Sequence, residues 1–225
     1  MFVGLSIIHS QGIFLVFGYL ISLIFLYNFD RLKFWNNFIF YNLFIIIGLI
    51  SGSITYPLVF DNFNGNYFKH NSLLLSLTSI FIIYCISVLF KSETLKNLLD
   101  IIIIPFILLV AFGKIGCYYG GCCYGIIVID HTMIPLQLLE SFFYFIIFLY
   151  LKIFKKDSFI LFIILFSIFR LFFEIYREDS IKYLFGIKIT VILSSILFLS
   201  SLLMFILKNI FFIQQVEIKQ LNFNK

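Results

Sequence analysis

The sequence predicts an all-α, polytopic membrane protein: about seven transmembrane helices, with a glycine-rich irregular loop between the fourth and fifth. Three observations carry this. Hydrophobic residues make up 62% of the chain, charged residues only 12%, and mean hydropathy is +1.10, whereas a soluble domain is nearer half apolar and a quarter charged. Apolar runs of near-spanning length recur along the whole chain. Between two of them, five of the 12 glycines and three of the four cysteines fall within Gly113–Gly125. No soluble domain, internal repeat or low-complexity tract interrupts the pattern, so residues 1–225 read as one integral membrane domain.

Several function classes drop out on composition. A net charge of +5 is spread over loops rather than gathered in a patch, which gives no sign of nucleic-acid binding. The first basic residue is Arg31, so the positive start of a cleavable signal peptide is missing and the first segment is expected to stay as an anchor. Four cysteines in such a chain do not form a disulfide framework. Phenylalanine occurs 33 times and alanine once, at Ala111, so an aromatic face carries little meaning here.

The segments are drawn at roughly 12–27, 38–59, 72–90, 98–112, 137–151, 158–173 and 186–207. Segment one carries Gly12, Gly18 and Ser22 as small residues. Segment two has a stripe, Gly48, Ser51, Gly52 and Thr55, at the three- and four-residue spacing that lets helices approach closely. Pro57 is expected to bend its outer end. Segment three carries Ser72, Ser76, Thr78 and Ser79, hydroxyls that can bond their own helix or a neighbour, and Cys85 as packing. Segment four holds Asp100, expected to be hydrated at the cytoplasmic end, and Pro105.

Segments four and five are short for a span of about 20 residues. The stretch between them is expected to be non-helical, because each glycine costs a helix about 1 kcal/mol relative to alanine. Irregular backbone at membrane depth must be buried in protein or line a wet cavity. This marks Gly113–Gly125 as the first place to look for function. Segment five opens with Pro135, suited to a helix's first turn. Gln137, Glu140, Ser141 and Tyr144 then share one face, which on an apolar helix points inward. Segment six ends in Arg170, Glu174 and Arg177, spaced to share one helical face. Ionisable groups inside a span are costly and face the interior or water, and Glu174 can pair with either arginine.

Lys and Arg are biased between alternate loops. Arg31, Lys33, Lys91, Lys96, Lys152, Lys155, Lys156, Lys208, Lys219 and Lys225 fall on one side; Lys69, Lys114, Arg177, Lys182 and Lys188 fall on the other. Ten against five predicts an external N-terminus and a cytoplasmic C-terminus. The glycine-rich stretch, the charged end of segment six and His9, His70 and His131 then share the external face.

Taken together, Gly113-Lys114-Ile115-Gly116 through Gly125, Pro135-Leu136-Gln137-Leu138-Leu139-Glu140, and Arg170…Glu174…Arg177 resemble the bacterial prolipoprotein diacylglyceryl transferases. That family's signature is a Gly-Arg-x-Gly loop, a His-Pro-x-Gln-Leu-Tyr-Glu helix start and an Arg-x-x-x-Glu-x-x-Arg helix. Gly12, Gly52 and Tyr56 are weaker matches. The resemblance implies seven spans in the bacterial cytoplasmic membrane. It also implies transfer of a diacylglyceryl group from phosphatidylglycerol to the lipobox cysteine of a prolipoprotein, without a cofactor or metal.

By the resemblance, Arg170 and Lys114 would hold the phosphate, Glu174 would orient Arg170, and Arg177 would support it. Gln137 and Glu140 would position the headgroup or the arginines. Gly113 and Gly116 would offer loop amides, Tyr56 would contact substrate, and His70 or His131 would take the thiol proton. Lys114 stands where the family has arginine, Cys117 and Cys122 where it has asparagine and glutamate, and Ile134, Leu139, Ser53 and Gln11 where it has histidine, tyrosine, arginine and tyrosine. The family's His-Gly-Gly motif near segment three is absent; His70 lies close to its place without the glycines. These departures keep open a relative that retained the scaffold and binds anionic lipid or uses another acceptor. Cys117, Cys122, Cys123 and His131 also leave open a thiol-redox or zinc site, though C-x4-C-C is not a standard ligand spacing. A transporter would need an inverted repeat, which the sequence lacks.

Overall fold

A computed structural model describes residues 2–29, 31–60, 73–90, 92–121, 125, 127–128, 132–154, 157–177, 183–184 and 186–223. Among these are seven helices: α1 (Phe2–Phe29), α2 (Phe34–Phe60), α3 (Leu73–Leu89), α4 (Glu93–Tyr119), α5 (Leu136–Phe154), α6 (Ser158–Glu174) and α7 (Ile189–Phe223). Five are long and apolar enough to cross a membrane: α1, α2, α4, α5 and α7. The apolar α3 and α6 are shorter, at 17 residues each. Two small antiparallel hairpins lie between helices. β1 (Ile127–Val128) pairs with β2 (Thr132–Met133) before α5, and β3 (Tyr183–Leu184) pairs with β4 (Ile187–Lys188) before α7.

Helix α4 is the central post, packing against α1, α2, α3, α5 and α6. Ile103, Ile107 and Ala111 along it are fully buried. Here one sequence expectation is corrected. The stretch from Gly113 is not a loop at its start: α4 runs unbroken through Gly113 and Gly116 to Tyr119, and Gly120 caps it. Segment four is therefore 27 residues long, about 40 Å at 1.5 Å per residue. It needs no re-entrant backbone to reach the surface. Helix α5 is likewise longer than drawn, at 19 residues.

The glycines sit in this helix because α1 lies against them. A methyl group on Gly116 would stand 3.2 Å from the Gln11 Cα and carbonyl oxygen and 3.2 Å from the Phe14 Cβ. In lipid, helix association rests on such close backbone approach rather than on expelling water. The contact outweighs the propensity cost of glycine, about 1 kcal/mol per residue. Gly113, Gly116 and Gly120 form a small-residue face of the kind recognised in segment two, where Gly48 of α2 meets Ile80 and Ser76 of α3. Gly116→Val is expected to destabilise the fold by about 1–3 kcal/mol through overpacking against fixed backbone. Gly113→Ala, which would meet only the tip of Leu15 at 3.2 Å, is expected to be near neutral. Thermal unfolding in detergent compares the two.

The other polar positions divide between own-helix and inter-helix bonds. Ser51, Thr55, Thr78 and Ser79 bond carbonyls of their own helices. Ser141 instead donates to the carbonyl of Ala111 at 2.9 Å, joining α5 to α4 where the chain's one alanine leaves room. Tyr41 donates to Ser22 at 2.9 Å, joining α2 to α1. Cys85 packs against the core. Asp100 does more than stay hydrated: its Oδ1 accepts the Phe159 amide at 2.7 Å, so a side chain of α4 satisfies a first-turn N–H of α6. Lys208 of α7 pairs with Asp157 at the same end. That end lies about 21 Å along α4 from Lys114, counting 1.5 Å per residue.

Candidate functional site

The opposite end of the bundle gathers five charged side chains from three helices and one turn. Lys114 is on the last turns of α4, Glu140 on the first turns of α5, and Arg170 and Glu174 on the last turns of α6. Arg177 follows α6: the helix ends at Glu174, and Arg177 lies in a β-bridge with Gly125. Arg170, Glu174 and Arg177 thus share a side of the bundle, as their spacing predicts, but not one helix.

Glu140 is the hub. It pairs with Lys114, its Oε1 lies 3.2 Å from an Arg177 guanidinium nitrogen, and the same oxygen is 3.6 Å from Arg170 Nη1. Arg170 Nη2 is 3.1 Å from Glu174 Oε2. So Glu174 pairs with Arg170, and Arg177 turns to Glu140. Glu140 is 4% exposed and Glu174 1%. Carboxylates so deeply buried are tolerable only when paired. Here the pairing also ties the two guanidinium groups to carboxylates on α5 and α6.

The inward face expected on α5 is present: Gln137, Glu140, Ser141 and Tyr144 are all buried. Pro135 stands just before the helix, and its carbonyl accepts the Leu138 and Leu139 amides. A small cavity between α5 and α6 is lined by Glu140, Arg170 and Tyr144 together with Phe143, Phe169 and Phe173.

Two residues given no role in the sequence reading belong to this constellation. Thr190, on the first turn of α7, donates to Glu174 Oε1 at 2.5 Å. Lys188, at the end of β4, donates to the carbonyls of Glu174 at 3.1 Å and Arg177 at 2.6 Å. The available signal was slight: a lysine and a threonine opening an apolar segment on the same side as Arg170. It needed the hairpin to give it meaning.

Of the other sequence candidates, Gly113 and Gly116 lie in α4 against α1, so helix packing occupies them. Their expected role as loop amides is not met, since the α-helix already uses the backbone there. Cys117 also lies in α4, partly buried. His70, His131, Cys122 and Cys123 lie outside the described residues, as does the side chain of Tyr56. Among the described residues, no group of three His, Cys, Asp or Glu side chains is placed to hold a metal ion.

A profile of the family described as prolipoprotein diacylglyceryl transferase matches residues 2–207 of the 225-residue chain. The chain belongs to that family. The match covers helices α1 to α6, the first part of α7 and every residue of the cluster. A search of curated proteins finds no match to the chain. At the level of the family, the protein is a membrane-embedded transferase of lipoprotein biosynthesis, with lipid and prolipoprotein as its substrates.

Proposed function

We propose that this protein moves a diacylglyceryl group from phosphatidylglycerol to the lipobox cysteine of a prolipoprotein, at the outer face of the bacterial cytoplasmic membrane. The observation that carries the proposal is the charge balance of the cluster. Among the described residues, Lys114, Arg170 and Arg177 face two carboxylates, Glu140 and Glu174, so the cations there outnumber the acids by one. Lys188 beside them raises the excess further. An enclosed surplus of positive charge is what a phosphate needs, above all one that gains charge as it leaves.

In the proposed reaction the cysteine thiolate attacks the glyceryl carbon that bears the phosphate ester. A C–S bond forms, the C–O bond to phosphate breaks, and glycerol phosphate departs with the electron pair. The thiol proton goes to a base, for which His70 and His131 are the candidates by residue type. Arg170 and Lys114 hold the phosphate oxygens. Glu174 orients Arg170, Glu140 sets Lys114 and Arg177 around it, and Gln137 and Tyr56 contact the headgroup. Phe143, Phe169 and Phe173 beside Glu140 and Arg170 set apolar surface next to the charged cluster, which suits a lipid substrate. The lysine and arginine bias favours an external N-terminus and a cytoplasmic C-terminus, which puts the cluster at the outer leaflet.

Complementation tests this reading. In a strain depleted of its own transferase, the wild-type gene and Cys122→Ser are expected to restore growth and lipoprotein maturation, and Arg170→Ala is not. Restoration by Arg170→Ala with failure of Cys122→Ser would replace the reading with thiol chemistry. Failure of the wild type, together with selective phosphatidylglycerol binding by the purified protein, would favour a lipid-binding relative.

A further inference from the structure

We propose that Thr190 is a positioning residue: by holding one oxygen of Glu174, it keeps that carboxylate from closing over Arg170 and leaves the guanidinium Nε–H without a partner, for a phosphate oxygen to take. The two oxygens of Glu174 point to different helices. Oε1 accepts the Thr190 hydroxyl at 2.5 Å, and Oε2 faces Arg170 Nη2 at 3.1 Å. A carboxylate and a guanidinium free to choose prefer the fork, with two parallel N–H···O bonds. Here Oε1 is bonded to Thr190, and Oε2, though 3.1 Å from Nη2, makes no aligned hydrogen bond, so the fork is not made. Arg170 Nε, although buried, has no hydrogen-bond partner among the described residues. A buried N–H left unmade costs about 1–3 kcal/mol, a cost that a bound anion would relieve.

The same end of α7 holds the backbone of this region. The β3–β4 hairpin, turned by Gly186 at φ +80°, brings Lys188 over the C-terminus of α6. There its ammonium bonds the carbonyls of Glu174 and Arg177. A cation on the Glu174 carbonyl suits the negative end of the α6 dipole. Lys188 fixes where Glu174 starts from, and Thr190 fixes which way its carboxylate turns. Without the hydroxyl, Glu174 is free to swing onto Nε and Nη2 together and occupy the edge the phosphate would use.

The chain has only three arginines, Arg31, Arg170 and Arg177, so the side-chain Nε–H signals can be assigned by substitution. The experiment records 15N-arginine NMR spectra of the full chain in lipid nanodiscs, with transfer kinetics measured alongside. Thr190→Val and Thr190→Ala are expected to move the Arg170 Nε–H resonance as Glu174 closes on it. Thr190→Ser should leave it in place, and Arg31 should not move in any variant. The effect on transfer rests on the activity proposed above: Thr190→Val should lower turnover about tenfold, the scale of one hydrogen bond to a charged group, and Thr190→Ser should restore it. Thr190→Val should add little loss in a Glu174→Gln background. An Arg170 resonance unmoved by Thr190→Val and Thr190→Ala, or moved equally by Thr190→Ser, overturns the proposal. A wild-type protein that transfers nothing but shows the expected resonance pattern upholds the role of Thr190 and removes the transferase reading instead.

Discussion

Glu140→Ala is expected to destabilise the protein by about 3–5 kcal/mol, the range for removing one partner of a buried ion pair, and more than any other single change at the site. The carboxylate is 4% exposed and is the common partner of Lys114, Arg170 and Arg177. Removing it leaves Lys114, Arg170 and Arg177 close together without the carboxylate they share. Their mutual repulsion acts between helices α4, α5 and α6, so the loss should loosen the bundle end and not merely one side chain. Glu140→Gln should recover part of the loss, since the amide oxygen still accepts a bond. Adding Lys114→Met to Glu140→Ala should also recover part, because neighbouring charges couple. Thermal unfolding in detergent measures all four proteins; a Glu140→Ala variant as stable as the wild type would mean that the charges are hydrated rather than mutually held.

Arg170→Ala should have the largest effect on activity, lowering transfer by about 10²–10³-fold, in line with loss of a preorganised group that stabilises developing charge. Stability should change less than in Glu140→Ala. Glu174 keeps its bond to Thr190, and Glu140 keeps Lys114 and Arg177. Arg170→Lys should stay well below the wild type, because a lysine supplies a point charge and not a planar fork. Initial rates with purified proteins in phosphatidylglycerol bilayers separate these cases. An Arg170→Lys variant at wild-type rate would show that charge alone suffices.

Much of this architecture was legible in the sequence, and the reason is the solvent. Lipid forces long apolar helices, so seven segments could be drawn, and it penalises a buried charge so heavily that Arg170, Glu174 and Glu140 stood out. The inward face of α5 followed from spacing alone. The start of the glycine-rich stretch was misread because propensity was weighed without tertiary contact. Glycine at 113, 116 and 120 is poor for an isolated helix and well suited to one that lies against α1. Which acid paired with which base could not be read from i, i+4 spacing, since it depends on where α6 ends and the bridge to Gly125 begins. Thr190 and Lys188 were silent for a related reason: they reach Glu174 from the start of α7 and from the β3–β4 hairpin, and no helical spacing links them to it.

The central claim is that the excess positive charge around Glu140 grips the phosphate of a departing glycerol phosphate. Mass spectrometry tests it most directly. Purified protein in bilayers containing phosphatidylglycerol is incubated with a lipobox peptide, and the peptide's mass is followed with the glycerol phosphate released. The expected result is one diacylglyceryl group on the cysteine for each glycerol phosphate freed, and neither product with phosphatidylcholine alone or with Arg170→Ala. Equal modification by Arg170→Ala, or a modified peptide without released glycerol phosphate, would contradict it.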